Sequence, residues 1–388
     1  MLERREVRVQ GVVQGVGFRP FVYRLAQEEC LAGFIGNDTD GVIIEVEGAL
    51  ASIESFLRRL EAEAPALARV DSVIAGEIPP KQEKGFSIVA SEVRGQVATG
   101  IPADAATCAD CLRELLDPKD RRYRYPFLNC TNCGPRFTIT RRIPYDRPQT
   151  SMAKFKMCPA CQAEYDDPAN RRFHAQPNAC WDCGPRVWLV EPEPAVDSED
   201  LKGQDFSRAE ESGQNFLSGQ EVSGHDFSRA GKGQVDLKGH DFSRADSTAQ
   251  DEGALAPEGH PDPVAETIER LLAGQILAIK GIGGFHLACD ATNTAALAEL
   301  RRRKARFEQP SALMMRDLEL VRSFAHVSVE EERLLDSRAR PIVLLRARRP
   351  SAISPLVAPG NEYLGVMLPY APLHFVILDD LPYVIRRS

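Results

Sequence analysis

The 388-residue sequence predicts a multidomain α+β protein. Three observations carry that prediction. Residues 6–89 alternate strand-like and helical runs in the order β-α-β-β-α-β. Eight of the ten cysteines fall into four C-x2-C pairs between Cys108 and Cys183. After residue 263 a pattern of helix, strand, glycine loop, helix and strand resumes. The length suggests two to four domains, and 43% hydrophobic residues is ordinary for a globular chain. A net charge of −8 argues against a general nucleic-acid coat. The longest uncharged stretch, Tyr363 to Leu378, falls short of the ~20 residues that cross a bilayer and contains Pro369 and Pro372. The N-terminus, Met1 to Glu6, is charged and lacks an apolar signal region, so a soluble, cytoplasmic protein is expected.

The first element of residues 1–91 is a strand, because Val7 and Val9 alternate with Glu6, Arg8 and Gln10. A loop of Gln14, Gly15, Val16, Gly17 and Phe18 follows, then a helical run from Pro20 to Glu29. The two glycines let the loop expose successive backbone N–H groups beside a helix start, and Arg19 is placed to grip phosphate oxygens in bidentate fashion. Two strands around a turn are expected over residues 33–46, a helix near Ala51 to Ala64, and strands near Val70–Ile78 and Phe86–Val89. This order is the ferredoxin-like βαββαβ arrangement. The run V-x-G-V-V-Q-G-V-G-F-R, Val9 to Arg19, resembles the acylphosphatase signature. That resemblance implies that Arg19 binds the phosphate and Asn37 orients the attacking water. The loop holds no Ser, Cys or His, which suits direct attack by water over a covalent intermediate. The competing reading is a degenerate phosphate site kept for its fold.

Residues 104–190 form a duplication. Cys108, Cys111, Cys130 and Cys133 read C-x2-C-x18-C-x2-C, and Cys158, Cys161, Cys180 and Cys183 repeat the spacing at an offset of 50 residues. Asp117-Pro118 returns as Asp167-Pro168, Arg121-Arg122 as Arg171-Arg172, and Cys133-Gly134-Pro135-Arg136 as Cys183-Gly184-Pro185-Arg186. Two structural four-thiolate zinc sites, in fingers over 104–140 and 154–190, account for the echo. Disulfides would need an oxidising compartment, and a redox C-x-x-C does not recur four times in register. Sequential pairing is the default, although an interleaved arrangement satisfies the same spacings. The neighbouring arginines would balance the charge of each thiolate cluster. Cys30 and Cys289 read as buried small hydrophobes.

Residues 191–263 are rich in Gly, Ser, Asp, Glu and Gln and contain a G-x-D-F-S-R-A unit three times, starting at Gly203, Gly224 and Gly239. Each unit carries one large apolar residue (Phe206, Phe227, Phe242), too little for a stacking repeat. A disordered low-complexity insertion is expected, with a peptide motif presented to a partner as the alternative.

Residues 264–388 begin with a helix, Val264 to Ala273, and a strand, Gln275 to Lys280. A glycine loop, Gly281 to Leu287, a helix from Thr292 to Arg303 and a strand from Ser311 to Met315 follow. Glycines after a strand, followed by Lys and Arg, suit a nucleotide phosphate; a solvated helix end would look the same. The run K-G-I-G-G-F-H-L-A-C-D-A, the later L-R-R-R-K-A-R and the segment Leu364 to His374 resemble the YrdC-type α/β domain, which makes carbamoyl-adenylates from ATP. The resemblance implies that Lys280, Lys304 and Arg306 contact nucleotide phosphates or the carbamoyl group, with Mg2+ accompanying ATP. Gln309-Pro310-Ser311-Ala312 stands where that family prefers K-P-F-A. The sequence reaches Ser388 before a Ser-x-Asn element, so a C-terminally incomplete domain is expected.

Taken together, the order of modules resembles the HypF family, carbamoyltransferases of nickel–iron hydrogenase maturation. The resemblance implies hydrolysis of carbamoyl phosphate, carbamoyl-adenylate formation and transfer to the C-terminal cysteine of a HypE-type partner, with the final transferase domain absent from this sequence. Two alternatives stand beside it: a non-catalytic zinc scaffold for maturation partners, and a simple acylphosphatase. A nucleic-acid-linked protein like the tRNA-modifying YrdC relatives is disfavoured by the acidic balance and the fused modules.

Overall fold

The computed structural model describes residues 2–91, 100–191, 262–305, 308–379, 381 and 383–386. The described residues up to 188 and from 262 onward belong to one compact unit. The expected insertion and its repeats, apart from the edges, lie outside the described residues.

The first domain is built from β1 (Leu2–Val12), α1 (Phe18–Glu28), β2 (Ala32–Asn37), β3 (Val42–Ala49), α2 (Leu50–Ala62), β4 (Arg69–Ile78) and β5 (Phe86–Ile88). Strand order β4-β1-β3-β2-β5 gives the ferredoxin-like sheet, with β2–β5 pairing parallel at one edge. Period-two alternation puts Val7 and Val9 of β1 under the helices, where Val22, Leu25, Ile53, Phe56 and Leu60 are buried with them. On the opposite face Arg4 is fully buried because three carboxylates surround it: Glu45, Glu47 at 2.9 Å and Glu83 at 3.0 Å. Gly33 has φ 132°, and a Cβ there would sit 2.0 Å from the Glu45 carbonyl oxygen, so only glycine lets β2 lie this close to β3.

Cys30 departs from expectation. It follows α1 in a left-handed conformation (φ 55°) that ends the helix, and its side chain is turned out to solvent. Cys289 is buried as expected.

In the cysteine-rich segment, α3 (Ala109–Leu116) starts directly after Cys108 and α4 (Pro159–Asp166) directly after Cys158. The rest is turns and short 3-10 stretches, among them Arg147–Gln149. The remaining chain supplies α5 (Pro263–Leu272), whose Val264 N–H is capped by the Asp262 carboxylate, and the strands β6 (Leu277–Gly281) and β7 (Gly284–Ala288). It continues with α6 (Thr294–Lys304), β8 (Ala312–Met315), α7 (Leu318–Phe324), β9 (Ala325–His326) and α8 (Val329–Leu335). It ends with β10 (Val343–Ala347), β11 (Tyr363–Met367), α9 (Pro372–Leu378) and β12 (Tyr383–Arg386). A five-stranded mixed sheet, β12-β8-β11-β10-β9, carries an apolar core that includes Leu297, Leu313, Leu345 and Val366.

One expectation is corrected here. Residues 284–288 of the predicted glycine loop are not a strand-to-helix phosphate loop; they are β7, which pairs antiparallel with β6 from Leu277↔Ala288 to Gly281↔Gly284. The glycines serve a hairpin turn, with Gly283 at φ 84°. A second apolar cluster joins Leu115 of α3 to Val264, Leu271, Met367 and Val376, so the finger segment and the C-terminal part share a core.

Candidate phosphate site and metal centres

Gly15 and Gly17 both take positive φ (70° and 78°), which folds the loop and lets α1 begin at Phe18 with Arg19 in its first turn. Gln14 fixes the loop to the β2–β3 turn: its amide Nε2 donates to the carbonyls of Asp38 (2.6 Å) and Gly41 (2.8 Å). That turn is held in turn by Asp38 Oδ1, which accepts from the N–H groups of Asp40 and Gly41. Asn37, at the end of β2, is only 1% exposed, and among the described residues neither its Oδ1 nor its Nδ2 has a hydrogen-bond partner. A buried amide left unpaired costs about 1–3 kcal/mol, so this side chain is set for something other than the fold.

Much of what closes the site comes from the cysteine-rich segment, which sequence reasoning did not anticipate. Arg19 Nη2 lies 2.8 Å from Asp146 Oδ1 and donates to the Tyr145 carbonyl at 3.3 Å. Tyr145 N–H donates to Gln14 Oε1 at 3.0 Å. The fully buried Arg136 donates to the Gly15 carbonyl and to those of Cys130 (3.0 Å), Thr131 (2.8 Å) and Cys133 (3.1 Å). One guanidinium thereby joins the phosphate loop to the knuckle of the first finger. A small cavity remains between the loop and a cover made by Thr131, Arg136, Tyr145, His174, Gln176 and Pro177.

The cover is anchored from the second finger. Gln176 Oε1 accepts from the Arg147 N–H (2.7 Å), and Arg147 Nη1 donates to the carbonyls of Gln176 (2.6 Å) and Asn178 (2.9 Å). Asn178 Nδ2 donates to the Cys161 carbonyl at 2.9 Å. His174 packs edge-on against Phe173 and tilted against Tyr165. Burial, and next the Arg19 charge, push its imidazole down to about 4, so it is neutral at pH 7. The one sequence signal for these residues lay inside the duplication: His174 and Gln176 stand where the first half has Arg124 and Pro126, and Arg124 and His174 share positive φ.

Both cysteine quartets are formed by sequential pairing. The Sγ atoms of Cys108, Cys111, Cys130 and Cys133 lie within 4.8 Å of one another, as do those of Cys158, Cys161, Cys180 and Cys183. The nearest separations are 3.4–3.8 Å in the first quartet and 3.6–3.8 Å in the second. A tetrahedral ion with metal–sulfur bonds of about 2.3 Å requires sulfurs about 3.8 Å apart. Disulfides, at about 2 Å, are excluded by the same numbers. Both quartets therefore fit zinc.

The arginines beside the quartets act across the duplication. Arg121 and Arg122 of the first finger reach Cys161 Sγ of the second, at 3.4 and 3.5 Å, and pair with Glu164. Arg171 of the second finger reaches Cys111 Sγ at 3.0 Å, and both Arg171 and Arg172 pair with Glu114. Burial alone would raise the Glu164 carboxyl, but the bonds from Arg122 and Arg121 hold it down at about 2.

In the C-terminal part, Lys280 lies on β6 with its ammonium 5.6 Å from the Phe285 ring centre, and Lys304 is an exposed residue ending α6. Arg306 lies outside the described residues. Behind the hairpin, His286 Nε2 and the Tyr370 hydroxyl are hydrogen-bonded at 2.8 Å.

Residues 5–88 match the acylphosphatase family, 107–140 and 157–190 the HypF finger, and 269–386 the family described as telomere recombination, which groups Sua5, YciO and YrdC. The chain is 44% identical over 382 residues to carbamoyltransferase HypF2 of Cupriavidus necator, covering 97% of this chain and 40% of that protein. It is 42% identical over 84 residues to an acylphosphatase of Leuconostoc mesenteroides, 93% of which is covered. A crystal structure of full-length HypF in the phosphate- and nucleotide-bound form superposes on all of this chain with TM-score 0.79 at 41% identity, over 43% of that structure's chain. The chain thus spans about two fifths of the length of its HypF relatives. Among the described residues no helix is long and apolar enough to cross a membrane.

Proposed function

This chain belongs to the HypF carbamoyltransferases over the part of their length that it spans, and from that premise we propose that its first chemical step is hydrolysis of carbamoyl phosphate. Backbone N–H groups of Gly15 to Arg19 and the Arg19 guanidinium hold the phosphoryl oxygens. Asn37 orients a water whose oxygen attacks phosphorus. The bond between phosphorus and the carbamoyl oxygen breaks, and carbamate and inorganic phosphate leave. Charge on the phosphoryl oxygens is stabilised by donors already fixed in place by Gln14 and Arg136, so little reorganisation accompanies the reaction.

The observation that carries this reading is the buried, unpartnered amide of Asn37, beside a turn that Gln14 fastens to the phosphate loop. Asn37→Ala is expected to lower kcat for phosphate release by about 10²–10³-fold, with a much smaller change in the inhibition constant for inorganic phosphate. Equal kcat in the variant and the parent protein would reject the assignment.

The rest of the pathway is proposed on family grounds. Two zinc ions, one in each quartet, would close the fingers as structural centres; the donor sets and sulfur spacings support this. With ATP and Mg2+, the YrdC-like part would convert carbamate to carbamoyl-adenylate, with Lys280, Lys304 and Arg306 as the contacts to phosphate or carbamoyl groups. A HypE-type protein would receive the carbamoyl group.

A further inference from the structure

We propose that the cover supplied by the cysteine-rich segment is a size filter that restricts the phosphate site to acyl phosphates with a very small acyl group. This rests on the phosphate-site reading above and adds the residues that decide which acyl group is accepted.

The argument starts from direction. On the reading above the loop N–H groups and Arg19 hold the phosphoryl group, so the acyl portion of any substrate projects away from them. In an uncovered ferredoxin-like domain that direction is solvent. Here it meets Tyr145, His174, Gln176 and Pro177, which line the same cavity as Gly15, Gly17 and Arg19.

These groups are stiffly held. A Cβ added at Gly15 would come within 3.2 Å of the Tyr145 ring and 3.3 Å of the Arg136 side chain, so the loop and its cover are already in near contact. His174 is wedged between Phe173 and Tyr165, and Phe173 in turn packs on Tyr23 of α1, with ring centres 5.4 Å apart. Gln176 is fixed from both ends of its amide: Nε2 donates to Tyr165 Oη (3.0 Å) and to the His174 carbonyl (2.9 Å), while Oε1 accepts from Arg147. A cover with so many mutual bonds cannot yield to a large acyl group without breaking several of them.

Chemistry points the same way. His174 is neutral and flanked by aromatic rings, and the Arg136 guanidinium of the cover is already engaged by the carbonyls of Gly15, Cys130, Thr131 and Cys133, so the cover presents no free cation to an acyl group. A small, neutral acyl group such as carbamoyl or acetyl suits this space, and an aromatic one does not.

The test compares carbamoyl phosphate with benzoyl phosphate on the full chain, in the parent protein and in two variants that shrink the cover, His174→Gly and Tyr145→Ala. Glycine is chosen at 174 because the backbone there has φ 54°. Retention of two metal equivalents certifies that each variant is folded. The parent is expected to favour carbamoyl phosphate in kcat/KM, and at least one variant to raise the benzoyl-to-carbamoyl ratio by at least about tenfold, the scale on which a pocket wall discriminates apolar groups. Hydrolysis of both substrates by the parent with similar kcat/KM overturns the filter alone. An unchanged ratio in both folded variants does the same. Failure of the parent to hydrolyse either compound overturns the phosphate-site reading, and the filter with it.

Discussion

Replacing Cys111 by alanine is expected to remove the first metal and, with it, the hydrolysis of acyl phosphates. Cys111 is fully buried, its sulfur is 3.4 Å from Cys133 Sγ, and Arg171 donates to it at 3.0 Å. Zinc bound by thiolates supplies on the order of 10 kcal/mol to folding in small modules, more than the finger can recover from its few core residues. Loss of one ligand leaves three thiolates and a guanidinium without their common partner. The effect reaches the phosphate site by a defined route. Arg136 donates to Cys130, Thr131 and Cys133 on the knuckle and to Gly15 on the loop. Once the knuckle is released, that link no longer sets the loop. Metal analysis should fall from two equivalents to one or fewer, and phosphate release from carbamoyl phosphate should drop at least about 10²-fold, as for loss of a preorganised donor set. Two retained equivalents in the folded variant would show that Cys111 is not a ligand.

Arg19→Ala is expected to reduce kcat/KM for carbamoyl phosphate by about 10²–10³-fold or more, because it removes the loop guanidinium proposed above to grip the phosphoryl group. Arg19→Lys should recover only part of the loss. An ammonium keeps the charge but cannot present two parallel N–H groups to two oxygens. The variant also strips Asp146 of its 2.8 Å partner and leaves a half-buried carboxylate without its cation beside the proposed phosphate position. For that reason Arg19→Ala should raise the inhibition constant of inorganic phosphate steeply, whereas Asn37→Ala should not. Steady-state kinetics with phosphate as competitor separates the two. An Arg19→Ala protein that binds phosphate as tightly as its parent would remove Arg19 from the site.

How much of this could be read from the chain is clear residue by residue. Gly15, Gly17 and Arg19 were legible because a left-handed turn, a helix start and a cationic fork are all local requirements. The quartets were legible because two thiols on one knuckle advertise a ligand pair; which pairs meet is a tertiary fact, and the distances resolve it in favour of sequential sites. The hairpin over Gly281–Gly284 was misread since a turn between antiparallel strands and a strand-to-helix phosphate loop use the same glycines for the same freedom of φ. Cys30 was misread because apolar character was set above its place at a helix end. Asp146, His174 and Gln176 were missed for a deeper reason: they lie more than a hundred residues from Arg19, and only the departure of His174 and Gln176 from the first repeat marks any of them.

The crossed arginines give the duplication a meaning beyond copy number. A thiolate-saturated zinc centre carries a net charge of roughly −2, and here the compensating cations for each centre are donated by the opposite repeat. One repeat in isolation would be doubly mismatched, anionic at its sulfurs and cationic at its arginine arm, and each defect is met by the reciprocal contacts of its twin. The pair is thus self-complementary in the manner of a symmetric dimer fused into one polypeptide. Either repeat can drift in sequence only while preserving its debt to the other, and the departures tolerated at His174 and Gln176 fall on the side turned to the phosphate cavity.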